Sequence, residues 1–264
     1  MRSKWIDSVA TGLALCLSAA NPASAQQDFQ WRGPLSVGQT IEIKGINGDL
    51  RATPSTSGEV EVTAARSARR SNPDEVRIEV VQHARGVTIC AVYPTPSGGD
   101  PNRCQPGDGG RLNNKDNDTV VHFDVRVPDG IGFIGRTVNG GVSGESLHGD
   151  ADARTVNGSI RLTTTGLAVA KTVNGSMNIT MGRADWPDGA SFKTVNGSIT
   201  LTLPSALAAE LRAEMLNGTL TSDFPVSVIS STANPRRLRG TIGSGTRPLD
   251  ISTVNGSIRL LRAQ

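Results

Sequence analysis

Apolar and polar positions alternate with a period of two over much of the chain, which is typical of β-strands. In the stretch ADARTVNGSIRL, the residues Ala151, Ala153, Thr155 and Asn157 fall on one face of a strand, and the charged residues between them fall on the other. The same phase recurs in every similar stretch, and aromatic residues make up only 3% of the chain. The pattern therefore predicts an all-β protein.

Thr-Val-Asn-Gly recurs five times between residues 137 and 256, and Asn-Gly alone occurs seven times. From Asn139 onward, the gaps between successive copies are 18, 17, 22, 21 and 38 residues. A period near 20 residues is the sequence mark of a solenoid. Because the last gap is about twice the others, LRGTI is expected to be a missing copy, with Arg239 in the place of asparagine.

The residues that recur in each copy of the repeat are those expected in stacked parallel coils. If like residues lie above one another, asparagine amides hydrogen-bond from coil to coil, glycine turns the corner and threonine fills an inward slot. We therefore expect an inward structural ladder of Asn47, Asn139, Asn157, Asn174, Asn196, Asn217 and Asn255. The alternative is a β-meander, because Asn-Gly is also a strong hairpin signal. The predicted fold is a single-chain parallel β-solenoid (β-helix-like) with stacked corners and an irregular β N-terminal cap.

The N-terminus has the three parts of a secretory signal peptide, which predicts an exported chain that is periplasmic, secreted or at the cell surface. Residues 1–25 are assigned to the signal, and lipidation of Cys16 remains an alternative. Residues 26–130 are expected to form the cap and first coils with a long loop over 95–118, and residues 131–264 the repeats. No further apolar stretch is long enough to span a bilayer as a helix.

Two cysteines, Cys90 and Cys104, remain after the predicted signal is removed. An even pair in an exported chain indicates a disulfide at the base of the long loop. Free or metal-binding thiols are the alternative, although no companion ligand motif supports them. Without the signal the chain carries 25 basic and 23 acidic residues, so net charge indicates no partner, and nothing points to nucleic acid.

Several stretches together resemble a known family. These are IEIKGINGDLRATPSTSGEVEVTA, the turn VRVPDGIGF and the serial TVNGSI units. They resemble the bacterial putative-adhesin family of exported domains, from about residue 36 to residue 261. The resemblance implies a β-solenoid domain of unknown function with an adhesive role inferred from its name, and it transfers no catalytic residue.

The sequence contains no catalytic motif, and no metal or cofactor is expected. A polysaccharide-acting β-helix enzyme, a lyase or hydrolase, is the rival hypothesis, because such enzymes use clustered outward carboxylates. The outward candidates here do not recur at one register, and turn chemistry explains them better. These candidates are Asp150, Asp152, Asp185 and Asp188.

Basic residues stand three positions before four consecutive corner asparagines, namely Arg136, Arg154, Lys171 and Lys193. Stacked about 4.8 Å apart, they would form an outward polyanion-binding stripe beside a ridge of outward valines. A solvated strand face is the alternative. The function predicted is a non-catalytic binding or structural module at the cell envelope, whose partner is an anionic envelope polysaccharide or another envelope protein. A partner protein in envelope-stress sensing is the third possibility.

Overall fold

The structure is a computed structural model that describes residues 29–231, 236–245 and 247–264. The described residues form strands joined by turns, with one 3-10 turn at Pro73–Glu75. The predicted signal peptide and Cys16 lie outside the described residues. The strands are β1 Phe29–Gly33, β2 Thr40–Lys44, β3 Leu50–Pro54, β4 Val60–Ser67, β5 Arg77–His83, β6 Gly86–Val92, β7 Val120–Val127, β8 Gly132–Arg136, β9 Val142–Leu147, β10 Ala151–Arg154, β11 Ile160–Thr164, β12 Ala168–Lys171, β13 Met177–Met181, β14 Ala190–Lys193, β15 Ile199–Leu203, β16 Ala209–Asn217, β17 Leu220–Ser222, β18 Ser227–Ser231, β19 Arg237–Ile242, β20 Pro248–Asn255 and β21 Ile258–Arg262.

These strands form two facing sheets. Sheet 1 has the order β1-β4-β7-β3-β9-β11-β13-β15-β21-β17, and sheet 2 has the order β18-β19-β16-β20-β14-β12-β10-β8-β2-β6-β5. A strand of sheet 2 leads through an Asn-Gly corner into a strand of sheet 1, and the pair makes one rung. In the part of the chain that the structure describes, seven rungs carry this corner.

Neighbouring rungs pair in parallel. β10 pairs with β8 and β12, and β11 pairs with β9 and β13, so equal positions of the repeat lie opposite one another. Arg154, for example, is in register with both Arg136 and Lys171. The parallel solenoid is thus confirmed and the hairpin meander is excluded. The interior is narrow, because buried alanines of sheet 2 face larger aliphatic side chains of sheet 1 such as Ile160 and Leu162.

The corner asparagines form the expected ladder but do not point inward. Six of the seven donate from Nδ2 to the Oδ1 of the neighbouring rung at 2.8–2.9 Å, and Asn47 at the end of the ladder donates to the carbonyl oxygen of Thr119 at 3.4 Å. Asn47 is half-buried, whereas Asn139, Asn157, Asn174, Asn196, Asn217 and Asn255 are exposed. The inward assignment was wrong because regular strand structure ends three residues before the asparagine in most rungs, so alternation does not continue through the turn.

The corner glycines are required by the closeness of the rungs. A Cβ added to Gly158 would lie 1.9 Å from the carbonyl oxygen of Gly140, and one added to Gly175 would lie 2.0 Å from that of Gly158. Real Cβ atoms essentially never approach so closely. The repeat therefore keeps glycine because each corner nests against the backbone of the next.

Antiparallel strands close one end of both sheets and the other end of sheet 2, while sheet 1 ends there in the parallel strand β17. β1, β4 and β7 pair antiparallel at one end of sheet 1, and β5 pairs antiparallel with β6. At the other end β16 pairs antiparallel with β19, and Arg239 lies opposite Arg212. LRGTI is therefore part of a cap, and its assignment as a missing repeat was wrong.

The order of rungs in space differs from the order along the chain. β20 lies between β14 and β16, so Asn255 bonds to Asn196 on one side and to Asn217 on the other. The doubled gap in the sequence thus holds the β18–β19 cap and a return of the chain. The proposed division at residue 130 stays a prediction, since both sheets are continuous across it.

The disulfide connects the long loop to sheet 2. Cys90 lies inside β6 and Cys104 lies midway along the connection from β6 to β7, with their Cα atoms 5.7 Å apart. The bond therefore pins the middle of the loop and not its base. Asn102, which is buried, also holds the loop together by donating to the carbonyls of Tyr93 and Asn113 at 2.9 and 2.8 Å.

Candidate functional site

Three rows of side chains run side by side along the corner between the two sheets, and we call them together the corner surface. The cation row lies at the last position of five sheet 2 strands (β2, β8, β10, β12 and β14), the valine ridge two residues later and the asparagine ladder next to it. Each row exists because identical sequence positions stack in register. The corner surface is thus a direct product of the repeat.

The cation row consists of stacked basic residues on five consecutive rungs. Lys44 is in register with Arg136, Arg136 with Arg154, Arg154 with Lys171 and Lys171 with Lys193. The sequence prediction brought together the last four correctly but omitted Lys44. Its position three residues before Asn47 was the available signal. Beyond Lys193 the next rungs carry Ser252 and Glu214, where the row ends.

Two of the four predicted stripe residues are already paired with carboxylates. Arg136 Nε lies 3.0 Å from Oε1 of the buried Glu42, as an ion pair without hydrogen-bond alignment. Arg154 NH2 lies 3.0 Å from Asp152 Oδ2. Asp108, from the long loop, also contacts the NH1 groups of both arginines. The first half of the stripe is therefore not open to solvent anions, contrary to the sequence prediction.

The same loop covers Lys44. Its Nζ donates to the carbonyl oxygens of Gln105 and Gly109 at 2.7 and 2.9 Å. Burial lowers the pKa of the Lys44 ammonium, although the nearby Glu42 carboxylate partly opposes this effect. Lys44 thus fastens the loop to the sheet and is not available to a partner.

Glu42 is the centre of a small buried polar network beneath the loop. Its Oε2 accepts from Thr88 Oγ1 at 2.9 Å and from the Gly107 N–H at 2.8 Å. Thr88 Oγ1 lies 3.2 Å from His83 Nε2. Because the Thr88 hydroxyl gives its one proton to Glu42, His83 is the donor in that contact. The network compensates a buried carboxylate, which would otherwise be costly.

Lys171 and Lys193 form the open half of the cation row. Both residues are exposed, and among the described residues neither has a carboxylate within ion-pair distance. They are in register on neighbouring rungs. Two lysine side chains without a carboxylate partner, carried by strands about 4.8 Å apart, therefore face solvent at the corner.

The valine ridge lies directly beside these lysines. Its members expose between 36% and 45% of their surface, which is high for apolar side chains. They form one continuous row because every rung has an apolar residue at this position. The row comprises Val138, Val156, Val173, Val195, Val254 and Leu216.

The asparagine ladder is satisfied within itself but keeps spare hydrogen-bonding capacity. Each amide uses one N–H and one oxygen lone pair along the ladder, and it has a second of each. The buried threonines strengthen the same corners, since their hydroxyls donate to corner-glycine carbonyls of the adjacent rung. Thr172, for example, donates to Gly158 at 2.9 Å. Sequence reasoning assigned threonine only a space-filling role and missed this bond.

The carboxylates considered for a glycan-cleaving site are largely engaged in local contacts. Asp150 accepts from the Leu167 N–H at 2.8 Å, so it caps a turn. Asp152 is paired with Arg154, and Asp185 forms two hydrogen bonds with Arg183. Asp188 is exposed in a separate turn. Asp150 and Asp152 line one shallow depression, but each is already engaged, Asp150 by a backbone N–H and Asp152 by an arginine.

The geometry defines a two-sheet β-solenoid with a patterned, non-enclosed surface along one corner. Residues 139–261 match the family model described as Toastrack DUF4097. The matched residues make up slightly less than half of the chain, and the match supports the resemblance to the putative-adhesin family. No curated protein matches the chain. None of the described helices is long and apolar enough to cross a membrane.

Three solved structures are similar over most of their length. A putative cell adhesion protein of Clostridium sporogenes is 11% identical, with a TM-score of 0.45, 90% of this chain covered and 100% of that one. A putative adhesin of Bacteroides fragilis is 14% identical, with a TM-score of 0.38 and coverages of 90% and 98%. A putative adhesin of Parabacteroides merdae is 10% identical, with a TM-score of 0.21 and coverages of 89% and 96%. At such values nothing about binding or activity follows from them.

Proposed function

We propose that this chain is an exported, non-catalytic, adhesin-like module that binds an anionic polymer of the cell envelope through the corner surface. Export is supported by the signal-like pattern of residues 1–25 and by the Cys90–Cys104 disulfide, since such bonds persist outside the reducing cytoplasm. Binding is favoured over cleavage because Asp150, Asp152 and Asp185 are each engaged by a turn N–H or by an arginine.

The observation that carries the proposal is the stacked pair Lys171 and Lys193. In the same row Arg136 and Arg154 are paired with carboxylates and Lys44 bonds to loop carbonyls, whereas these two are exposed without a carboxylate partner among the described residues. A protein surface that leaves like charges side by side gains nothing in stability from them. Their pairing is therefore best explained by an external anion.

A polymer suits this surface better than a small ligand. The corner is an open ridge and not an enclosed cleft, so a small molecule would bury little area there. Repeated cations, valine methyl groups and amide edges offer the same contacts on successive rungs. A repeating polymer can use many weak contacts at once, which raises its overall affinity.

The proposal is tested by reversing the two open charges. Lys171→Glu combined with Lys193→Glu should weaken binding to fluorescently labelled polygalacturonate by about five-fold or more, because two exposed ion pairs at about 0.5 kcal/mol each amount to about 1 kcal/mol and the new glutamates repel the polymer. Binding is measured by fluorescence anisotropy at low salt, with unlabelled neutral dextran as the competitor that should have no effect.

The matched control carries the same charge change outside the cation row. Arg161 and Arg259 are exposed on the outer face of sheet 1, each four residues after its corner asparagine. Arg161→Glu with Arg259→Glu should change the affinity by less than about two-fold, and far-ultraviolet circular dichroism should show both variants folded. Equal weakening in the two double variants, or no weakening in the lysine variant, would refute the proposed contact surface.

A further inference from the structure

The loop over the first half of the cation row places a carboxylate where an external anion would otherwise bind. Asp108 Oδ1 contacts NH1 of Arg136 and lies 3.5 Å from NH1 of Arg154. These arginines occupy the same position on neighbouring rungs. One carboxylate oxygen thus bridges two successive members of the row, which demonstrates the geometry that the row offers to an oxyanion.

Asp108 is held in place but remains accessible. Its side chain is 83% exposed, although hydrogen bonding from Arg136 lowers the pKa of the carboxyl. The pair with Arg154, whose side chain is 39% exposed, is worth little in stability, so a competing anion can replace the aspartate there. The neighbouring loop residues are held more firmly, because Gly107 bonds to the buried Glu42 and Gly109 bonds to Lys44.

We propose that Asp108 is a tethered stand-in for a carboxylate of the polymer, and that it competes with the polymer for Arg136 and Arg154. When the polymer displaces it, the binding track extends from the two lysines to four consecutive rungs. The ligand class that this geometry indicates is a linear polymer bearing carboxylates, such as a polyuronate. This inference rests on the proposed function and adds its ligand chemistry and its internal competitor.

Removing the negative charge of Asp108 should strengthen binding of the polymer. Asp108→Asn should tighten binding to labelled polygalacturonate by about three- to ten-fold, because the polymer no longer has to displace a bound group. The control is Asp116→Asn on the same loop, which makes the same charge change away from the row. It should change the affinity by less than about two-fold.

A second substitution distinguishes displacement from a general charge effect. In the wild-type background, Arg154→Gln should change the affinity by less than about two-fold, since Asp108 and Asp152 already occupy that guanidinium. In the Asp108→Asn background, the same substitution should weaken binding by about three-fold or more. Such non-additivity is the expected sign of residues that share one partner.

The outcomes separate this inference from the proposed function. If the lysine variant weakens binding but Asp108→Asn leaves it unchanged or matches Asp116→Asn, the corner binds polymer and the stand-in role is refuted. An equal effect of Arg154→Gln in both backgrounds would also overturn it, because the arginine would already be open in the wild type. If the lysine variant has no effect, the proposed function fails whatever Asp108 does.

Discussion

The nesting of corner glycines makes a sharp prediction for Gly175→Ala. The added methyl group would lie 2.0 Å from the Gly158 carbonyl oxygen and 2.5 Å from its carbon, where ordinary contacts begin at 3.4 Å. Both groups belong to backbone and not to a flexible side chain. The two rungs must therefore separate locally, because neither side can rotate away.

The cost can be worked from the bonds that cross this corner. Separation strains three hydrogen bonds of 2.8–2.9 Å. They run from the Gly158 N–H to the Asn174 carbonyl, from the Thr172 hydroxyl to the Gly158 carbonyl, and from the side-chain amide of Asn174 to that of Asn157. At about 1 kcal/mol for each hydrogen bond, the loss is about 3 kcal/mol. This agrees with the usual cost of overpacking, about 1–3 kcal/mol.

The measurement is chemical denaturation followed by far-ultraviolet circular dichroism, with Gly58→Ala as the control. Nothing lies within 4 Å of a Cβ built at Gly58, so that variant should match the wild type within about 0.5 kcal/mol. Hydrogen exchange should show the lost protection concentrated on the rungs next to residue 175. Equal stability of the two alanine variants would refute the nested-corner explanation of the repeat.

Two further predictions concern buried hydroxyl groups. Thr172→Val should lower the unfolding free energy by about 1–3 kcal/mol, because it leaves the Gly158 carbonyl without its hydroxyl donor. Thr172→Ser keeps the hydroxyl and loses one methyl group, so its unfolding free energy should fall by only about 0.8 kcal/mol. A valine variant as stable as the serine variant would contradict this prediction. Burial raises the pKa of Tyr93, the single tyrosine, to about 12, so an ultraviolet titration should place its ionisation near pH 12 and stability should fall as pH rises from 10 to 12. A native midpoint near the ordinary value of 10.0 would show that Tyr93 is not buried.

The sequence predicted the solenoid because its repeat constrains both period and phase. Identical residues such as Asn157 and Asn174 are seventeen positions apart, and only in-register parallel stacking brings them together. The same reasoning failed at the corners themselves, since alternation describes strands and says nothing of turn geometry. It therefore placed the amides inside when they line the outer edge.

The sequence did not predict that loop residues cover part of the cation row, and the reason is different. The sequence predicted that Arg136 and Arg154 stack, because each stands three residues before a corner asparagine. The contact between Asp108 and these arginines could not be predicted, because it depends on the path of an irregular loop whose sequence has no periodic pattern. The threonine hydroxyl bonds were predictable in principle, since a buried hydroxyl requires a partner.

The interleaving of β20 between β14 and β16 has a consequence for how the molecule is made. Because β16 precedes β20 in the sequence, it is synthesised first. At that stage the rung that will lie between β14 and β16 does not yet exist. Assembly from one end toward the other is therefore impossible in this region, and closure depends on a late, sequence-distant insertion. Until Ile258–Arg262 arrives, the edge of β15 stays open to pairing with other chains, which makes this interval the most aggregation-prone stage of folding.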